Sequence, residues 1–159
     1  MLCHIETTRG EKGQRLLGDS GKDAHTWNQL GLALAAGNHV EAAFEAMSTG
    51  LALDPSVVAL SVNIATVLGK LGRHKDAVRI LERSIANTKA AGKPASMSIL
   101  NNLGVAELDL GRPEAALRHF MRAKAGLRGD GMVEGDPRLM TVINNVHRAR
   151  GLTTSGVGA

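Results

Sequence analysis

The chain has no tyrosine, one tryptophan and two phenylalanines in its 159 residues. Single-strand nucleic-acid binders need aromatic stacking platforms among their basic residues, so nucleic acid is not an expected partner. The net charge of +4 reads as a mildly basic solvated surface. Cysteine is as scarce: Cys3 stands alone, which excludes an intrachain disulfide and a thiolate metal cluster. No apolar run approaches the ~20 residues of a membrane span. The opening MLCHIETTRGEKGQ lacks the apolar centre of a secretory signal, so a cytoplasmic location is expected.

Catalytic signatures are missing too. There is no HExxH, GxSxG or phosphate-binding loop. His4, His25, His39, His74, His119 and His147 never fall at the i, i+4 spacing of a helical metal site. The stretch RGDGMVEGD has neither the Lys-Ser/Thr of a phosphate loop nor the acidic spacing of a calcium loop. Neither enzymatic activity nor a metal or cofactor is expected.

What the sequence does have is repetition. WNQLGLALAAGNHVEAAFEAM at 27–47, SVNIATVLGKLGRHKDAVRIL at 61–81 and NNLGVAELDLGRPEAALRHF at 101–120 share one plan. Each has a run of apolar residues at helical spacing, a glycine-bearing break, and a second helical run that opens with an acidic residue before Ala. Trp27, Leu30, Gly31, Leu34, Ala43 and Met47 of the first unit, which Pro55 closes, align with Ser61, Ile64, Ala65, Leu68, Ala77 and Leu81 of the second, where Gly72 marks the break. Leu100, Leu103, Gly104, Gly111, Ala116 and Phe120 follow in the third.

These units resemble the tetratricopeptide repeat, whose W-x2-L-G-x2-Y, A-x3-F and P positions recur every 34 residues. Leu30 and Ile64 are 34 residues apart, whereas Ile64 and Leu103 are 39 apart, with KAAGKPAS as the expected place of the extra turn. Glu107 departs from the pattern where a large residue is usual. The resemblance implies an all-α fold, an α-solenoid of about three helix-turn-helix repeats plus a C-terminal capping helix. The repeats are expected at about 24–57, 58–96 and 97–130, with the cap at 136–150, all in a domain spanning 23–152. RLMTVINNVHRARGL reads as a fourth first helix without its partner, begun by Pro137 and stopped by Gly151. Residues 1–22 read equally well as a short leading helix or a frayed arm, and 153–159 as a disordered tail.

Helical geometry separates core from surface. At about 100° per residue, repeat positions 4, 7, 8 and 11 of the first helix face its partner, and positions 2, 5, 6, 9, 12 and 13 face the other way, towards the concave side. Position 6 then carries Gln29, Asn63 and Asn102, and alignment on the Asn-Asn pair adds Asn145. A carboxamide offers both acceptor and donors and so matches the backbone of an extended peptide. Such a column resembles the asparagine ladder of some tetratricopeptide superhelices, which implies a peptide-binding groove. Asn28, Leu32, Val62, Thr66, Asn101 and Val105 are its expected further members.

The family's carboxylate clamp requires Lys or Arg where Asn28, Asn63, Ser98 and Asn102 stand, so acidic chaperone tails are not the expected ligand. The function implied is a non-catalytic scaffold or adaptor that binds a protein or peptide partner. Two alternatives remain. Chain length and Ala, Gly and Arg usage suit a bacterial secretion or pilus-assembly chaperone, and the unpaired terminal helices suit self-association into a homo-oligomer.

Overall fold

The structure, a computed structural model, describes residues 23–133 and 135–155. The expected arm at 1–22 and the end of the expected tail, 156–159, lie outside the described residues. Among the described residues every regular element is an α-helix: α1 (Ala24–Ala36), α2 (Val40–Leu53), α3 (Val58–Lys70), α4 (His74–Ala90), α5 (Met97–Asp109), α6 (Pro113–Gly129) and α7 (Pro137–Ser155).

Local chemistry explains where these helices start and stop. Asp23 caps α1, accepting hydrogen bonds from the backbone N–H groups of His25 and Thr26 at 3.1 and 3.0 Å. Those donors hold the Asp23 carboxyl below its usual range. Pro113 opens α6 at a position where its missing N–H costs nothing. The turn after α3 closes with Gly72 in the left-handed region at φ 70°, the Arg73 N–H reaching the Leu68 carbonyl at 2.8 Å. In the first unit Gly37, at φ −78°, lies one place too early for this role. Asn38 takes it at φ 61°, with the His39 N–H on the Leu34 carbonyl at 2.8 Å. Asparagine is the side chain that most readily substitutes for glycine there.

The helices pack as pairs, α1 with α2, α3 with α4 and α5 with α6, and α7 lies against α6. Pairing is close because position 8 of each first helix is small. A Cβ on Gly104 would lie 2.5 Å from Phe120 Cε1, and Phe120 is itself completely buried. A Cβ on Gly31 would collide with the Met47 side chain.

One buried cluster runs through Ala43, Met47, Leu60, Ile64, Leu68, Ala77, Leu81 and Leu103. A second gathers Leu100, Ala116, Phe120, Ala123 and Leu127 with Leu139, Val142, Val146 and Ala149 of α7. α5 is the wall between them, giving Ile99, Leu103 and Ala106 to one side and Leu100 and Leu108 to the other. Leu108 was expected on the open side, but it is 7% exposed because α7 closes the second cluster over it.

The stretch between the second and third units has two parts. α4 has 17 residues against 14 in α2, and the connection 91–96 is longer than 54–57. α7 continues through Gly151 to Ser155 rather than stopping at the glycine. Nothing lies within 4 Å of where a Gly151 Cβ would sit, and a glycine in an exposed helix costs only about 1 kcal/mol. At position 8, where the repeats have Gly31, Ala65 and Gly104, α7 carries the exposed His147. No second helix can approach α7 there as closely as α6 approaches α5, which suits a cap.

Gly104→Ala is expected to destabilise the fold by about 1–3 kcal/mol, since the enclosed Phe120 ring has nowhere to go. Gly31→Ala should also destabilise, because the added Cβ meets the buried Met47 side chain near its base and lies 3.2 Å from the Ala43 carbonyl oxygen. Urea unfolding of the two variants decides it, and midpoints equal to the parent's would show that the partner side chains are free to yield. In the same assay Asn38→Gly should raise stability and Gly72→Ala lower it by about 1–2 kcal/mol, because only the latter forces a side chain into the left-handed region.

Candidate functional site

The first helices of the units, α1, α3 and α5, bring their position-6 residues to one side, and α7 continues the row. Asn63 Nδ2 on α3 donates to Asn28 Oδ1 on α1 at 2.9 Å. Asn145 Nδ2 on α7 donates to Asn101 Oδ1 on α5 at 2.9 Å. The two bonds are equivalent: each joins position 6 of one first helix to position 5 of the preceding one. Between α3 and α5 the corresponding position-5 residue is Val62, which has no acceptor in its side chain. Asn102 instead donates from Nδ2 to the Ser98 carbonyl of its own helix at 2.9 Å. Gln29 Nε2 is 3.4 Å from His25 Nε2 one turn away.

All four position-6 amides therefore use their nitrogen within the fold. Among the described residues, Gln29 Oε1 and the Oδ1 atoms of Asn63, Asn102 and Asn145 accept no hydrogen bond from the protein. The other expected site residues divide. Leu32 is 41% exposed and Thr66 is exposed, its Oγ1 donating to the Val62 carbonyl. Val62 and Val105 are half-buried and pack against the two cores, and Asn101 is half-buried. Asn28 is only 7% exposed, so its amide serves the contact with α3 and not an open surface.

Charge is sparse on this side. Asp109, at the end of α5, has its Oδ2 3.5 Å from His74 Nδ1 and its Oδ1 3.6 Å from Arg148 Nη2. It thereby ties the start of α4 to the middle of α7. His74 is half-buried, and among the described residues its Nδ1 has no hydrogen-bond partner.

The buried Glu107 carboxylate is paired with Arg112 at 3.3 Å, which accounts for an acidic residue at a place normally filled by a large apolar one. Burial lowers the His119 pKa; the nearby Glu107 opposes this and Arg122 adds to it. Among the described residues no cluster of His, Cys, Asp and Glu could hold a metal, and no helix is long and apolar enough to cross a membrane.

The Asn28 to Asn63 and Asn101 to Asn145 bonds span 35 and 44 residues, so they emerge only once successive units are stacked. Their one sequence signal was the recurrence of Asn at positions 5 and 6. The partly apolar cavity beside Asn101 and Asn102, described below, had none.

Comparison with known proteins agrees with this geometry. Residues 56–128 match the family model of the tetratricopeptide repeat. A peroxisomal targeting signal receptor from Kluyveromyces lactis is 31% identical over 85 residues, which are 54% of this chain and 15% of the receptor. The Sgt2 tetratricopeptide domain of Aspergillus fumigatus superposes with a TM-score of 0.69 at 15% identity, covering 85% of this chain and 82% of that one. The first tetratricopeptide domain of Spaghetti (RPAP3), solved with the HSP90 peptide SRMEEVD, gives 0.67 at 15% identity over 83% and 94%. At such identities the two structures attest a shared fold. With the repeat model matched over residues 56–128 inside a solenoid of this architecture, that stretch carries tetratricopeptide repeats, units that serve as protein-interaction modules.

Proposed function

We propose that this chain is a non-catalytic adaptor that holds an extended segment of a partner protein along the row of first helices. The observation that carries the reading is the set of four amide oxygens, on Gln29, Asn63, Asn102 and Asn145, left without donors after each amide nitrogen has been used. An extended chain presents an unpaired N–H at every residue except proline and supplies those donors irrespective of its side chains. Leu32 and Thr66 add exposed surface beside the row.

The peptide carried by the Spaghetti domain supports this use of the fold. Its acidic character does not transfer, because the row here is built from the neutral amides of Gln29, Asn63, Asn102 and Asn145. Self-association by continued stacking is disfavoured by the exposed His147 at position 8 of α7.

Asn102 is the clean probe, since among the described residues its side chain bonds only to its own helix backbone. Asn102→Ala should weaken a peptide selected from an unstructured array about five- to tenfold, on the order of 1 kcal/mol for one hydrogen bond, with no loss of thermal stability. Asn63→Ala should lower both affinity and stability, because it leaves the buried Asn28 without its partner. Anisotropy titration of a labelled peptide checks the affinities. Unchanged affinity of Asn102→Ala would remove the amide row from the site.

A further inference from the structure

At one end of the row the wall between α5 and α7 opens into a cavity of about 570 Å³, within the size range of ligand pockets. Its apolar lining comes from Met97, Leu127, Met132 and Val142, contributed by α5, α6, the connection after α6, and α7. Ser98, Asn101, Asn102 and Thr141 also line it, and the first three hold positions 2, 5 and 6 of α5. The cavity and the amide row therefore share residues.

We propose that this cavity is an anchor pocket that takes one large, neutral, apolar side chain of the bound segment; the proposal rests on the groove reading above. Three features select that occupant. Leu127 and Val142 are buried and form a fixed apolar wall, while Met97 and Met132 are half-buried, unbranched side chains that adapt to an incoming shape. Charge at the pocket does not call for an anion: Arg138 is bound to Asp136 at 3.2 Å, and Asp130 supplies a further carboxylate, so an acidic side chain is disfavoured.

The amides beside it also suit a backbone passing over an inserted side chain. Asn101 accepts from Asn145 and retains its own Nδ2 as a donor, and Asn102 retains Oδ1 as an acceptor. One residue of an extended segment offers the complementary pair, one C=O and one N–H. The row would then supply tolerant binding and the pocket a preference at a single position.

Two readouts test the proposal. N-acetyl-phenylalaninamide and N-acetyl-alaninamide are titrated while backbone amide shifts of residues 96–98 and 141–142 are followed by NMR. Saturable shifts with the phenylalanine compound only, abolished in Thr141→Phe, are expected, because the exposed Thr141 can carry a ring into the cavity without disturbing the core. In parallel, peptides recovered from an array should share one large apolar residue. Its replacement by Ala should weaken binding at least tenfold in the parent and hardly at all in Thr141→Phe. Ser98→Leu, filling from the α5 side, should repeat the result should Thr141→Phe lose helicity. Peptides that bind both forms alike, yet weaken with Asn102→Ala, would overturn the anchor and leave the groove standing. Saturable shifts with the capped phenylalanine but no peptide binding would overturn the groove and keep the pocket as an apolar site.

Discussion

Everything on the concave side depends on how closely the two helices of each unit approach, and that is decided by one missing side chain. Gly104 lets the completely buried Phe120 ring lie against the α5 backbone, and Gly31 does the same for Met47. Once each second helix is held against positions 4, 7, 8 and 11 of its partner, the first helices turn their other flank to a common side. The amide row is a consequence of that geometry. It needs no attraction between the amides themselves, and Gln29 and Asn102 keep their places while bonding only within their own helices.

The amides that do bond across helices add a second level of order. Asn28 to Asn63 and Asn101 to Asn145 fix the relation of α1 to α3 and of α5 to α7. A bond between part-buried amides contributes about 1 kcal/mol when made and costs more when half of it is removed. Val62 interrupts the series, so α3 and α5 are joined by packing alone: Ile64 and Leu68 share a core with Ile99 and Leu103. Hydrogen-bonded pairs constrain angle as well as distance, whereas apolar contacts tolerate sliding.

Much of this was legible in the residues. The 3.6-residue period and the small-residue positions, Gly31, Ala65 and Gly104, marked each helix pair, because few other contexts require so small a residue at that spacing. Gly72 and Gly111 marked their turns for the same kind of reason: both adopt positive φ. Asn38 was harder to see, since an asparagine in that role looks like an ordinary polar turn residue and Gly37 beside it draws attention away. Leu108 was misplaced because position counting knows one neighbour at a time, and its burial comes from α7, the helix of the next unit. Asn28 failed as a surface residue for the same reason, being covered by α3. The helical wheel gives the direction of a side chain but not what the following unit lays over it.

The pocket at the α5 to α7 end illustrates how irregularity in a repeat array becomes a local feature. Between α2 and α3 the connection is the short Asp54–Val57, and Trp27 and Leu60 fill the space around Gly50. After α4 and after α6 the connections lengthen to 91–96 and 130–136, and Met97 lies where a Cβ on Gly126 would be. A flexible thioether there, with longer connections around it, borders the cavity. In the groove reading proposed above, the regular part of the array presents similar groups at each step, and discrimination among extended chains would come from the departure from regularity. Selectivity in a short solenoid of this kind is expected to reside where its period fails.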